Sequence, residues 1–418
     1  MRRYKRRSAP NCAVMPVVVQ KYGGTSVADP ERIQKVADRV RDTRMTGNDV
    51  VVVVSAMGQT TDELLELAAK VSESPPRREL DMLLSTGERI TMALLAMALE
   101  ARGIPAVSYT GSQAGVLTNS MHGEARITKI TGERVRQSLE DGKVVIVAGF
   151  QGVDPETKEV TTLGRGGSDA TAVALAASLG ADHVEIYTDV DGVFTADPRL
   201  VSVARKLDEV PFDEMLEMSA SGAGVLMTRS VEIGRRYDMP IHVRSSFHDG
   251  DGTWVTDAME QAIVSGVAHD RSEVRITVAG VPNRPGIAAR VFGALADARI
   301  VVDTIVQNVS HDGTADMSFT VPAAHAAEAE RITKEVGAEI GATVEMDDGI
   351  GKVSIVGAGM KSQPGVAAKM FMTLAENDID IEMISTSTIR ITCVIRADRI
   401  EEAVAALHEA FGLQNGAS

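Results

Sequence analysis

The residues most able to do chemistry gather in four glycine-, serine- and threonine-rich stretches in the first half of the 418-residue chain. The first is Lys21-Tyr22-Gly23-Gly24-Thr25-Ser26. Its adjacent glycines let backbone N–H groups approach an anion closely, and Lys21 adds a mobile positive charge suited to phosphoryl oxygens. The GxxxxGK[ST] spacing of a Walker A loop is absent, and a plain turn with a snorkelling lysine explains the stretch equally well on its own. The second, SAMGQTTD at 55–62, holds more hydroxyls than one helix cap uses, Ser55 and Thr61 among them, and suits a small polar ligand. The third, TTLGRGGSD at 161–169, opens an alanine-rich helix with Arg165, Ser168 and Asp169. A helix N-terminus with an arginine is an anion site, and a guanidinium grips a carboxylate bidentately; Asp169 alone is also ordinary dipole compensation. The fourth runs from Thr188, Asp189 and Asp191 to Asp197 and Arg199. It suits a nucleotide or a magnesium ion, although Asp-Gly and Asp-Pro are equally common turn chemistry. Glu88 lies among apolar Leu83, Leu84, Met92 and Leu95, and is either an exposed helical residue, which the spacing slightly favours, or a partner for a ligand amine. No Ser/His/Asp set and no glycosidase-type carboxylate pair stands out. The sum is an enzyme that handles a phosphorylated ligand beside a small anionic one.

The elements that must position these residues alternate. Apolar runs at 17–20, 50–54, 144–147 and 184–187 have the length and near-continuous hydrophobicity of strands buried on both faces. Between them, Asp29-Pro30 offers an N-cap and an N1 proline ahead of Ile33, Val36, Ala37 and Val40 on one helical face. Further helices are expected around 64–71, from about Leu80 to Gly103, and over 168–179. This is an α/β domain with a mostly parallel sheet, expected over 16–250. Beyond an Asp- and Gly-rich boundary at 248–252 the chain repeats itself. VRITVAG at 274–280 recurs as VSIVGAG at 353–359, and Pro285-Gly286 recurs as Pro364-Gly365, with Phe292/Phe371, Leu295/Leu374 and Ile305/Ile384 at the same 79-residue offset. Each copy reads as a ferredoxin-like βαββαβ module, expected at 265–345 and 350–418.

Composition excludes several classes. With 43 basic against 58 acidic residues, a net charge of −15, and one Trp, five Tyr and eight Phe, nucleic acid is not expected as a partner. Two cysteines, Cys12 and Cys393, fit a reducing compartment, and eight histidines without HxxxH or CxxC spacing leave no zinc site. No apolar run reaches membrane length. The basic start, MRRYKRR, lacks a following h-region, so residues 1–15 read as a disordered basic tail, or translation begins at Met15. The expected location is the cytoplasm.

Taken in order, KYGGTS at 21–26, VVSA at 53–56, Gly87-Glu88-Arg89, TLGRGGSD at 162–169 and YTDVDG at 187–192 resemble the aspartokinase family. The resemblance runs from about Val17 to Phe411, and the paired modules resemble ACT domains. It implies the α/β/α sandwich of the amino acid kinases, ATP and Mg2+ as cofactors, and transfer of the γ-phosphate to the β-carboxylate of L-aspartate. By the same resemblance, Lys21 and Asp169 are catalytic, with Lys21 neutralising the transferring phosphoryl group and Asp169 orienting the phosphate-binding groups. Tyr22, Gly23, Gly24, Thr188, Asp189, Phe194, Asp197, Arg199 and position Gly224 fall in the nucleotide site, the two glycines donating backbone N–H groups. Ser55, Thr61, Glu88, Arg165 and Ser168 hold aspartate, Glu88 facing its ammonium and Arg165 a carboxylate. No protein cluster is assigned to the metal. Asn283, Asp303, Gln307, Asn308, Ser385 and Thr386 fall on the family's effector-site segments, with lysine and threonine as the usual effectors. A homo-oligomer through the ACT domains is implied, and Met259 stands where some relatives start a separate regulatory subunit, or is an ordinary methionine.

Five departures qualify this. The family's ATP-contacting lysine is Gly224 here, with Arg229 as a candidate substitute, and a usual tyrosine is Phe194. The Asp two residues before the first Pro-Gly is Asn283, and the Glu after Ser-Thr-Ser is Thr388, so weakened feedback is expected. The chain ends at Ser418 without the extra strand of many relatives, leaving one module's last strand missing or supplied otherwise. The alternatives are a kinase for another amino-acid carboxylate, or a catalytically weak amino-acid sensor, to which only Gly224 lends weight.

Overall fold

A computed structural model describes residues 15–257, 263–309 and 313–415, with only the backbone at Lys361 and Ser362. The basic tail, Cys12, Met259 and the last three residues lie outside the described residues. The chain divides into two compact units, one of residues up to Gly192 with Arg229–Asp257, the other of Val193–Thr228 with the remainder.

The first unit is built on parallel strands β1 (Val17–Tyr22), β2 (Asp49–Val54), β3 (Ala106–Tyr109), β6 (Val144–Ala148), β9 (His183–Thr188) and β11 (Ile241–Ser245), with β12 (Thr253–Thr256) antiparallel at one end. Their spatial order is β12-β11-β9-β1-β2-β6-β3. The chain therefore leaves β1 in one direction and later returns on its other side at β9, which makes the β1/β9 border a topological switch point. β2 and β6 are wholly valine, isoleucine and alanine beyond Asp49 and are buried along that length, as both-face coverage requires. The helices are α1 (Pro30–Met45), α2 (Thr60–Val71), α3 (Arg77–Leu84), α4 (Thr86–Glu100), α5 (Glu133–Glu140), α6 (Gly167–Leu179) and α8 (Thr228–Tyr237). Asp29 caps α1 by accepting the Arg32 N–H at 2.8 Å, with Pro30 at N1 as expected. The single helix expected from Leu80 is two, because the chain breaks at Ser85. A small second sheet, β5-β4-β7-β8, comprises β4 (Val116–Thr118), β5 (Ile127–Ile130), β7 (Gln151–Val153) and β8 (Val160–Thr162), the last leading straight into the turn before α6.

The second unit opens with β10 (Glu209–Pro211) and α7 (Phe212–Ala220), and contains two four-stranded antiparallel sheets. One module is complete in sequence: β14 (Glu273–Pro282), α9 (Ile287–Asp297), β15 (Ile305–Val309), β16 (Thr314–Pro322), α10 (Ala326–Ile340) and β17 (Thr343–Asp347), in spatial order β15-β16-β14-β17. The other has β18 (Ile350–Val356), α11 (Val366–Glu376), β19 (Met383–Thr386), β20 (Arg390–Arg396) and α12 (Ile400–Ala410). Its fourth strand is β13 (Gly266–Asp270), which precedes the first module in sequence and pairs antiparallel with β18 from Gly266↔Val356 to Asp270↔Lys352. The missing last strand is thus supplied from upstream, and 266–270 does not join the first module's sheet as boundaries of 265–345 would have it. Residues 193–228 depart likewise from a continuous 16–250 domain. Ala196 and Val201 pack into the second module's core with Ile355, Met370, Leu374, Ile400 and Leu407.

Candidate active site

At the carboxyl edge of the parallel sheet, each loop begins by donating its first N–H to a carbonyl at the end of the neighbouring strand. Gly23 donates to Tyr187 O (3.3 Å), Ser55 to Tyr22 O (3.1 Å), Gly149 to Val54 O (3.0 Å) and Ser246 to Thr188 O (2.8 Å). The loops after β9, β1, β2 and β6 thereby line up side by side, and the first three of the four predicted loops, with the start of the fourth, meet at the switch point. Packing between the first two is close: the Gly58 N–H donates to Gly24 O at 3.1 Å, and a Cβ on Gly24 would stand 3.0 Å from the carbonyl oxygens of Ala56 and Gly58. Glycine is needed at 24 for that approach.

Lys21, at the end of β1, places Nζ 2.6 Å from Asp169 Oδ1 at the start of α6, and both side chains are nearly buried. A Cβ on Gly23 would lie 3.4 Å from that ammonium, so the cation rests over the glycine turn. Glu88, in the first turn of α4, is 3% exposed. Its Oε1 accepts the Ala56 N–H at 3.1 Å, and its Oε2 is buried with no hydrogen-bond partner. Burial pushes its carboxyl up to about 7, while the backbone N–H groups of Glu88 and Ala56 pull the other way. The exposed position that spacing favoured is therefore corrected: a helix seen alone does not reveal that the 55–58 loop closes over its N-terminus. Arg165 is exposed and makes no ion pair among the described residues, whereas Ser168 is buried against Gly149, where a Cβ would come within 2.7 Å of Ser168 Oγ. Ser55 and Thr61 are both half-buried, Thr61 in the first turn of α2.

Several expectations change. The Tyr22 side chain is 0% exposed and stacks on Tyr187 at 4.7 Å, above a buried network of Gln20, Glu185 and Arg244, so its ring packs the sheet and is not open to a nucleotide. The Gly23 N–H is taken by Tyr187 O. Arg229 donates to Leu163 O (3.1 Å) and Ala125 O (2.8 Å), so it does not stand in as a free cation for the absent lysine. Thr188 ends β9 and exposed Asp189 opens the loop after it, and the same loop is tied by Asp191 to His248 at 2.6 Å. Phe194, Asp197, Arg199 and Gly224 lie in the second unit, where Asp197 holds 88%-exposed Arg199 at 2.7 Å and is itself kept below the usual carboxylate range by that guanidinium. Sequence reasoning missed Gly149 and Phe150. Their signal was a Gly-Phe-Gln-Gly run directly after an all-apolar strand, and Phe150 adopts φ 66°.

In the second unit, Gln307 and Asn308 lie on edge strand β15, and Ser385 and Thr386 on edge strand β19, with Val306 packed against Met383 between the two sheets. Asn283 is exposed after β14. Asp303 is ion-paired with Lys352 at 2.6 Å. The Cys393 thiol is buried and pushed up to about 12, an inert core residue.

A mostly parallel sheet with glycine-rich loops at its switch point, followed by two ferredoxin-like modules, defines an amino acid kinase with paired regulatory domains. The amino acid kinase family signature matches residues 16–245, and ACT domain signatures match 274–341 and 353–411. The chain is 57% identical over 407 residues to the aspartokinase of Mycolicibacterium smegmatis, covering 96% of this chain and 97% of that one. It also matches E. coli aspartokinase III solved with aspartate and ADP (27% identity, TM-score 0.81, 94% of this chain and 99% of that one). The same enzyme with lysine and aspartate gives a TM-score of 0.73 at the same identity and coverage. The chain belongs to the aspartokinase family, kinases that phosphorylate aspartate.

Proposed function

We propose that Lys21 neutralises the phosphoryl group in transfer while Ser55, Thr61, Glu88, Arg165 and Ser168 hold L-aspartate, whose β-carboxylate takes the γ-phosphate of ATP. The observation that carries this reading is Glu88: a buried carboxylate with one oxygen fixed by a backbone N–H and the other unpartnered is a place for a ligand ammonium. Arg165, exposed and without an ion pair among the described residues, complements it with a fork for a carboxylate. The reaction asks for no strong base. The β-carboxylate is ionised at neutral pH; one of its oxygens bonds to the γ-phosphorus, the bond from that phosphorus to the β,γ-bridging oxygen breaks, and ADP departs with the electron pair. Alignment and fixed charge are what the chain must supply. Asp169 holds the Lys21 ammonium at the N-terminal end of α6 until phosphoryl oxygens replace it as the partner.

Thr188, Asp189, Phe194, Asp197, Arg199 and position 224 serve the nucleotide in this reading. Bound together with ATP, Mg2+ would supply neutralisation of the phosphates. Among the described residues no cluster of three or more His, Cys, Asp or Glu is disposed to hold a metal, and exposed Asp189 of the candidate set would be a hard donor available to it. The enzyme is placed in the cytoplasm, at the first step of the lysine, threonine and methionine route. Lysine and threonine are its effectors, a choice supported by the lysine-bound relative. Exposed Ile305, Val309 and Ile384 on the edge strands support a homo-oligomer through the ACT domains. A hydroxamate assay with Mg-ATP and aspartate, glutamate as control, tests the reading; turnover of order 1 per second or above is expected. Absent turnover, or glutamate preferred over aspartate, overturns it.

A further inference from the structure

The turn at 163–166 that carries Arg165 belongs to no helix or strand, yet the chain entering it is fixed from four sides. Thr162 Oγ1 donates to Asp81 Oδ1 (2.5 Å), the Ala125 N–H donates to Thr162 O (2.9 Å), the Leu163 N–H donates to Phe150 O (2.8 Å), and Arg229 donates to Leu163 O (3.1 Å). Asp81, on α3, is 1% exposed. Besides Thr162, its carboxylate receives the Gly123 N–H (3.0 and 3.2 Å) and stands 2.7 Å from His122 Nδ1. His122 Nε2 is 3.2 Å from Glu159 Oε2, and Glu159 is held by Arg78 at 2.9 Å. The 122–125 segment so anchored abuts the turn directly, since a Cβ on Gly164 would lie 3.2 Å from Gly123 O. A buried carboxylate is costly unless its oxygens are bonded. Here the bonds run to the residue that enters the arginine's turn and to the loop packed on that turn.

We propose that Asp81 is a positioning residue for substrate recognition: by holding Thr162 and Gly123 together it sets the course of the 163–166 turn and the direction in which Arg165 presents its guanidinium. Pre-organisation of this kind lowers the ordering cost of binding. The proposal rests on the reading that Arg165 meets a carboxylate of aspartate.

Steady-state kinetics on the full chain test it with D81N, T162V, T162S, R165A and the double variant D81N/R165A. Misplacing a substrate-positioning group by a fraction of an ångström to an ångström costs about tenfold or more. D81N and T162V are each expected to raise KM for aspartate about tenfold with kcat and KM for ATP within about twofold, while T162S, which keeps the hydroxyl, stays near the parent. In the R165A background D81N should add nothing further. If D81N and R165A instead multiply, or T162V leaves KM for aspartate unchanged, Asp81 does not act through Arg165 and the proposal falls. Should D81N fail to fold, the T162V and T162S pair decides alone. R165A by itself reads the underlying assignment: an unchanged KM for aspartate in R165A removes both that assignment and the proposal.

Discussion

In the proposed site, Glu88 makes aspartate binding sensitive to pH with a definite sign. Its carboxyl titrates near 7 instead of the ordinary 4.5, because burial penalises the charged form more than two backbone N–H groups favour it. The folded state therefore holds a proton that the unfolded chain has lost. The stability this brings is full below about 4.5 and disappears as pH rises through about 7. An aspartate ammonium held by Glu88, as proposed, selects the opposite, ionised form. With a midpoint near 7, the ionised fraction rises roughly tenfold from pH 6 to pH 8, and KM for aspartate is expected to fall by about that factor over the same interval. In E88Q the pH dependence should vanish and KM for aspartate should stay high throughout; a parent enzyme with a flat profile would remove Glu88 from the ammonium site. A second residue-scale test concerns charge. A Cβ at position 224 would meet nothing nearer than the Gly222 carbonyl oxygen at 4.0 Å, so the backbone leaves room for a side chain to start there. A charge-assisted contact is worth about 1.5–3 kcal/mol, and G224K is accordingly expected to lower KM for ATP about tenfold or more. An unchanged KM for ATP would show that position 224 does not reach the nucleotide.

Among the elements, those with a local signature were legible and those defined by distant partners were not. The valine runs of β2 and β6, the Asp29-Pro30 start of α1 and the 79-residue repeat carry their structure in their own spacing. The glycine-rich loops also announced themselves, because close backbone approach requires glycine at Gly24. By contrast, GVAHD at β13 contains nothing that names β18 as its partner, with Gly266 set against Val356; that pairing is a property of the assembled sheet. Tyr22 reads as part of a loop motif, but its alternation along β1 turns the ring into the core against Tyr187. The 193–207 segment is the largest surprise. It carries Phe194, Asp197 and Arg199, yet Ala196 and Val201 belong to the second module's hydrophobic core, and Thr195 Oγ1 lies 2.8 Å from His408 Nε2 on α12. A candidate nucleotide loop is therefore stabilised by a regulatory module. Removing two methyl groups there in V201A is expected to cost about 1–3 kcal/mol of stability in the second unit. The same variant should raise KM for ATP while KM for aspartate stays near the parent value. Thermal unfolding beside kinetics checks both; equal changes in the two KM values would mean that the loop's packing does not bear on the nucleotide in particular.

Across the whole molecule charge is anionic in sum, and the cations of the candidate site differ in how they are matched. Against a net −15, Lys21 and Arg199 are each neutralised by a neighbouring aspartate, and Arg165 stands unpaired among the described residues. The regulatory half handles charge differently. Lys352, 3% exposed on β18, bridges Glu273 at 2.7 Å and Asp303 at 2.6 Å, joining the two ACT domains. Burial works to lower its ammonium, and the two carboxylates outweigh that and leave it above its usual value. Asp303, one of the candidate effector residues, thus already has a cation, and an incoming effector ammonium must compete with a lysine covalently in place. Asn283 supplies no carboxylate to compensate, and Thr388, exposed between β19 and β20, supplies none either. Inhibition by lysine and threonine together is therefore expected to be weak, with half-inhibition above the low-millimolar range. An exposed carboxylate–ammonium pair is worth up to about 1 kcal/mol, so N283D should lower the half-inhibiting concentration by about threefold. Titrating both amino acids, singly and together, against the parent and N283D measures this. Half-inhibition of the parent by the pair at low-millimolar concentration or below, or an N283D enzyme no more sensitive than the parent, would show that the effector does not depend on a carboxylate at 283 and that the Lys352 bridge does not stand in its way.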